Sequence, residues 1–212
     1  MLMDIGYILT VLGVIFVSMT LHEFMHGYIA YTLGDHTAKY EGRLSLNPIR
    51  HIDPFLTILL PLVLAIAGMP VFGGAKPVQV NPYALKYGDW GMALVAISGP
   101  LTNLLLAFVS FGAYLAADGA SLDVIAGIMM TSLYVNLGFF LFNIIPLPPL
   151  DGSRVIYAIM PDSLQSVFEQ IERYGLFLVF AVVMLGGPLI SLYMTSATRG
   201  LVELFGKIFG VF

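Results

Sequence analysis

Apolar blocks alternate with short polar stretches along the chain, and their lengths predict the elements. The first block, residues 4–33, reads as one long helix that stops at Gly34, a residue suited to a helix C-terminus. From residue 5 to residue 34 its only charged or imidazole side chains are His22, Glu23 and His26. A polar stretch follows at 35–54, with Asp35, His36, Lys39, Glu41, Arg43, Arg50, His51 and Asp53. Within it Arg43 to Pro48 alternates, which predicts a short strand. Residues 55–69 are apolar again. As helix they rise about 22 Å, short of a roughly 30 Å hydrocarbon core, so they read as a re-entrant hairpin. A glycine turn at Gly73 and Gly74 leads to a second alternating stretch ending at Pro82. The segments LSLNP and VQVNP echo each other. They read either as two β-strands flanking the hairpin or as two Asn-Pro turn starts.

Residues 91–117 form the second span. It contains Ser98-Gly99-Pro100-Leu101-Thr102-Asn103, where Gly99 and Asn103 share a helix face. A small residue allows close helix approach and a polar one hydrogen-bonds across, so the motif reads first as structural. Contact with the first helix would make it indirectly functional. Residues 118–123 are a loop, and 124–147 form the third span. That span runs into Phe142-Asn143-Ile144-Ile145-Pro146-Leu147-Pro148-Pro149-Leu150-Asp151-Gly152, whose prolines must break the helix. Residues 161–173 carry Leu164, Val167, Phe168 and Ile171 at helical spacing, an amphipathic helix. Residues 175–194 read as a fourth span, interrupted by Gly186-Gly187-Pro188. Residues 197–212 put Arg199, Glu203 and Lys207 on one stripe, a surface-lying C-terminal amphipathic helix.

Composition turns these blocks into a class. Of 212 residues, 58% are hydrophobic and 10% charged, against about 25% charged in a soluble domain. Mean hydropathy is +0.91. The reading is an all-α polytopic membrane protein. It has a three-helix core, a fourth transmembrane helix, a re-entrant hairpin at about 55–69 with short flanking β-strands, and the C-terminal amphipathic helix. One membrane-embedded domain covers 1–212, with the core at about 5–160 and accessory helices at about 161–212. The N-terminus lacks a basic segment and a small-residue cleavage site, so the first helix is expected to be retained. Net charge is −4 and no basic run is present, which excludes nucleic acid as the expected partner; the lipid bilayer is one. There is no cysteine, hence no disulfide and no thiol chemistry.

Candidate chemistry lies inside the first helix. Leu21-His22-Glu23-Phe24-Met25-His26-Gly27 contains H-E-x-x-H. Residues i and i+4 share a helix face, so His22 and His26 offer two imidazoles to one metal ion. Glu23, about 100° round the helix, reaches a water on that metal as general base. Ionisable groups inside a membrane helix are expensive and mark function by default. Structural zinc sites are mostly Cys-rich and closed, so a chain without cysteine points to a catalytic site. Non-helical backbone at membrane depth is tolerated only where it is buried in protein or lines a cavity. That places Asp151 beside the first helix as a third ligand. Two His and one carboxylate leave a fourth position for water. His36 and His51, in the polar loop, are expected to be solvated.

Metal ligands must share one depth, and this fixes a topology. With the first helix running outside to inside, the hairpin must not cross, the second span returns outward and the third comes back in. Lys39, Arg43, Arg50, Lys76, Lys86, Arg154 and Arg173 then fall inside, and only Arg199 and Lys207 outside, as the positive-inside rule asks. The expectation is a multi-pass protein of the cell membrane, its N-terminus outside and its site nearer the cytoplasmic face.

HEFMH at 22–26, SGPLTN at 98–103 and FNIIPLPPLDG at 142–152 resemble, in that order, the motifs of site-2 proteases, the intramembrane zinc metalloproteases. GRLSLNPIRHIDP and FGGAKPVQVNP resemble linkers of compact prokaryotic members without PDZ or CBS domains. The resemblance implies one Zn2+ on His22, His26 and Asp151, with Glu23 as general base. It implies Asn143 as a residue that steadies the oxyanion. It also implies a three-helix catalytic core, an edge strand that receives substrate, and single-span membrane protein substrates trimmed first by a site-1-type protease. Two other functions are compatible with the same residues. One is a catalytically silent membrane chaperone or regulator, which would not require Glu23. The other is a zinc transporter, which would ordinarily show repeated halves and a continuous polar path; the sequence shows no repeat and no second set of intramembrane acids. Substrate identity, activation signal and oligomeric state are not set by the sequence.

Overall fold

The computed structural model describes residues 5–68 and 73–211. Among the described residues three single helices are long and apolar enough to cross a membrane: α1 (Ile5–Thr32), α4 (Asp89–Gly119) and α5 (Asp123–Asn143). α4 is the central one and touches α1, α5 and α6 (Asp151–Ile159). It can do so because its buried positions are largely small: Gly91, Ala93, Ala96, Ser98, Gly99 and Ala107. Small residues let helix backbones approach where lipid gives no hydrophobic drive to associate. On the other side Ala107, Phe111, Leu133, Leu137 and Phe205 close a dry core.

α1 ends before Gly34, whose φ of +107° no side chain adopts comfortably. The short α2 (Thr37–Tyr40) follows. Asp35 is buried at this corner and accepts hydrogen bonds from Thr37 N (2.9 Å), Thr37 Oγ1 (2.6 Å) and Asn81 N (2.7 Å). It thereby ties the end of α1 to residue 81.

The apolar segment at 55–69 is helical where it is described. Pro54–Leu59 is a π-helical turn that continues as α3 (Leu60–Ile66); position 69 of the expected hairpin lies outside the described residues. The chain returns to where it left. Gly74 N donates to Leu56 O (3.1 Å), Lys76 N to His51 O (2.8 Å), and Thr57 Oγ1 to Gly74 O (2.7 Å).

The flanking β-strands expected from sequence are not formed among the described residues. The backbone donors that would build a ladder are engaged elsewhere. Val78 N donates to Glu23 and Asn81 N to Asp35. Both Asn-Pro pairs open 3-10 turns instead, Pro48–His51 and Pro82–Ala84, in which Asn47 and Asn81 accept from Ile49 N and Tyr83 N. Alternation at 78–80 reflects one side of an extended segment resting on helices. Val78 lies beside Gly27, and Val80 packs with Ala30, Leu85 and Val95.

After α5 the proline-rich turn leads into α6 at Asp151. Glycine is required at 152, because a Cβ there would run into the Ile144 carbonyl. α6 pairs with α7 (Asp162–Glu172) through the Arg154–Glu172 ion pair and a Tyr157 hydroxyl that donates to Glu169 (2.6 Å).

The C-terminal helices differ from expectation. α8 (Gly175–Leu185) stops early, and α9 (Gly187–Phe209) leaves it at 86°. Gly186 and Pro188 set this break. A Cβ at 186 would meet the Val182 carbonyl at 2.7 Å, and Pro188 begins a helix better than it continues one. Residues 197–209 are therefore not a separate surface helix. They are the second half of α9, whose Phe205 is buried against Phe108 and Phe111.

Candidate metal centre

His22 and His26 lie on the face of α1 that meets α4, both buried. Gly99 makes room for them. A Cβ at that position would stand 2.5 Å from His26 Cε1 and Nε2 and 2.7 Å from His22 Cε1. The two rings meet edge to face, centroids 4.6 Å apart.

Each ring is fixed through Nδ1. His26 Nδ1 lies 2.8 Å from the Val95 carbonyl, which can only accept, so that nitrogen carries the proton. His22 Nδ1 lies 2.6 Å from Asn103 Oδ1. Asn103 donates its Nδ2 to Asn136 Oδ1 (2.9 Å), which fixes the direction of its amide and makes Oδ1 the acceptor for His22. Asn136 in turn donates to Ser132 O (2.9 Å), and Ser132 Oγ meets Ser110 Oγ at 2.7 Å. The relay reaches from α1 through α4 to α5.

In the neutral rings so oriented, both Nε2 atoms are acceptors, and they converge at 2.9 Å. Asp151 completes the group, its oxygens 3.1 Å from His22 Nε2 and 3.4 Å from His26 Nε2. Three acceptors in contact repel unless a cation lies among them. Ligand atoms about 2.0–2.2 Å from one tetrahedral zinc stand roughly 3.3 Å apart. The observed spacings lie close to this, and one ligand atom from each residue falls within 4.8 Å of the others. The donor set fits zinc, and outer hydrogen bonds of this kind orient metal-binding histidines.

Glu23 is buried beside the cluster and accepts from Val78 N at 3.1 Å. Val78 reaches it because Gly27, one turn further along α1, leaves space for Val78, Leu44 and Ala38. Asn143 stands apart in its bonding, with Nδ2 donating to Phe139 O in its own helix (3.0 Å). His36 and His51 do not join the cluster. His51 is not solvated as expected but fully buried, its Nε2 on the Ser45 carbonyl at 2.8 Å.

Sequence reasoning thus brings together His22, His26, Asp151 and Glu23. It reads Asn103 as a helix contact, indirectly functional if it meets the first helix, and it misses Asn136 and the backbone of Val95 and Val78. Asn136 does carry a signal, as an amide inside the apolar run 124–147.

The chain is 42% identical over 205 residues to "Putative zinc metalloprotease YwhC" of Bacillus subtilis, covering 91% of this chain and 89% of that one. The chain belongs to the site-2 protease family. Two proteins named Rip2 carry the same description. That of Mycolicibacterium smegmatis is 29% identical over 183 residues, covering 85% of this chain and 68% of its own. That of Mycobacterium tuberculosis H37Rv is 28% identical over 195 residues, covering 90% and 71%. No family model and no solved structure matches. The metal of this family is zinc, in agreement with the donor set assembled by α1 and α6.

Proposed function

We propose that this site-2 protease cleaves peptide bonds in or near the transmembrane segments of single-span membrane proteins, with His22, His26 and Asp151 as zinc ligands. The observation that carries this reading is the convergence of both Nε2 atoms and the Asp151 carboxylate inside a bundle of membrane-length helices. Bound zinc supplies a Lewis acid that lowers the pKa of a water toward neutrality and polarises a carbonyl.

The remaining roles fall to this chain's own groups. Asn103 and Val95 hold the two imidazoles with their lone pairs toward the site. Glu23 takes the proton of the attacking water and returns it to the leaving nitrogen. Val78 N–H holds one carboxylate oxygen of Glu23 and leaves the other for that proton. Asn143 steadies the oxyanion after its amide turns from the Phe139 carbonyl. A helical substrate hides its scissile carbonyl in its own hydrogen bonds and must unwind locally. The extended segment at 73–80 offers a backbone edge against which to hold it. The return of residues 74–76 to residues 51–56 supports a hairpin that does not cross. On that topology the N-terminus lies outside and the site nearer the cytoplasmic face of the cell membrane. A site-1-type protease would trim the substrate first.

The test compares wild type with Glu23→Gln, each with its zinc content measured, against a panel of single-span substrates. The expected result is about one zinc in both and cleavage only by wild type, abolished by a chelator. Cleavage by Glu23→Gln would remove the role given to Glu23. Wild type without zinc would overturn the ligand assignment.

A further inference from the structure

The charged stripe on α9 has no part in the chemistry above. Its depth follows from contacts. Tyr193 Oη donates to the Leu141 carbonyl near the end of α5 (3.2 Å). Further along, Leu201, Val202 and Phe205 pack with Leu133 and Leu137 in the middle of α5, and a Cβ on Gly112 would meet the Phe209 ring. α9 therefore runs beside a membrane-length helix, and Arg199 and Glu203 fall between those two levels.

At about 100° per residue, Arg199 and Glu203 share the outward face of α9 with Ser196 and Gly200. All four are exposed. With Tyr134, Thr195 and Thr198, the two charged residues line a cleft of about 540 Å³. Among the described residues neither takes part in an ion pair. An Arg and a Glu facing lipid at this depth are expensive and call for a partner. Gly200 has open space around it, and Ser196 and Gly200, four residues apart, permit a second helix to come close.

We propose that this face of α9 is the interface of a homodimer, with Arg199 of each copy paired to Glu203 of the other. Copies of one chain insert in the same sense, so the axis relating them lies along the membrane normal and the two α9 helices run parallel. Such a contact is isologous, the same patch on both sides. Arg199 and Glu203 are one turn apart, about 6 Å along the axis, within reach of a guanidinium. Two pairs then form and all four charges are neutralised. A substrate helix of arbitrary sequence does not offer an acid and a base one turn apart; a second copy always does.

The experiment measures the oligomeric state of the full chain in nanodiscs and detergent, with zinc content as the check on folding. Wild type is expected to be dimeric. R199E and E203R should each raise the dimer dissociation constant at least tenfold. The double exchange R199E/E203R should restore the dimer, and the two single variants mixed should form a heterodimer. Gly200→Leu, which changes no charge, should also dissociate it. A monomeric wild type overturns the proposal, as does a dimer indifferent to these substitutions. A monomer in which R199E and E203R lose only substrate cleavage assigns the face to substrate and overturns it equally.

Discussion

His22 Nδ1 and Asn103 Oδ1 stand 2.6 Å apart, 81 residues apart in sequence. This bond directs the other ring nitrogen toward Asp151, and Asn136 orients the amide that makes it. Outer partners of metal-binding histidines are worth about 10–100-fold in metal affinity. Asn103→Leu removes both the acceptor for His22 and the donor for Asn136. Its zinc affinity, read by competition with a chelator, is expected to fall by about that factor with helix content unchanged. Asn136→Leu, one step further out, leaves His22 its acceptor and should lose less. Equal losses for the two would mean that the relay acts as one unit.

Gly99 is read as the seat of both imidazoles, since a Cβ there would lie 2.5 Å from His26. Gly99→Ala is expected to displace the rings and reduce zinc occupancy and cleavage together, by roughly a hundredfold or more in activity, because a 1 Å misplacement alone is worth about that much. Gly13→Ala, where a Cβ meets nothing within 4 Å, is the matched control in the same helix. Zinc content and turnover of the two variants separate a local clash from a general loss of helix packing.

How far these relationships are legible in the sequence depends on what carries them. His22, Glu23, His26 and Asp151 are side chains whose types and spacing state their chemistry, and the need for one common depth joins Asp151 to the pair. Val95 and Val78 act through backbone atoms, which no pattern of side chains announces. Alternation around Val78 resembles a strand because Val78 and Val80 both rest on helices, yet the N–H groups of Val78 and Asn81 go to Glu23 and Asp35. The apolar run at 175–194 conceals its bend, since hydropathy does not register direction and Gly186 does. The inward side of residues 197–209 is equally hidden, because amphipathicity alone does not say whether lipid or protein covers the apolar face.

Asp35 supplies a pH dependence outside the membrane spans. Burial works to raise its carboxyl, but donors from Thr37 and Asn81 outweigh this and hold it below the usual carboxylate range. A group depressed on folding contributes stability above its unfolded pKa, near 4, and loses it as pH falls through the folded value. Wild type is therefore expected to lose thermal stability below about pH 4. Asp35→Asn should be less stable at neutral pH by roughly 1–3 kcal/mol, the cost of weakened buried hydrogen bonds, and flatter across the acid range. Limited proteolysis near residues 73–81 at neutral pH should report the release of that segment.

Val78 N–H lies 3.1 Å from Glu23 Oε2 and holds the carboxylate that the proposed mechanism uses. Val78→Pro removes this donor and follows Pro77, so the segment stays extended. A hydrogen bond to a charged group is worth about 1.5–3 kcal/mol, and each 1.36 kcal/mol is about tenfold in rate. Cleavage by Val78→Pro is expected to fall about ten- to a hundredfold in kcat, with zinc content unchanged. Val78→Ala keeps the N–H and should stay within a few-fold of wild type. If the segment also pairs with substrate, Gln79→Pro, next along the same extended stretch, should raise KM and leave kcat nearly unaltered. A loss of kcat in Gln79→Pro equal to that in Val78→Pro would show that the proline disturbs the segment as a whole, and the specific contact between Val78 and Glu23 would lose its support.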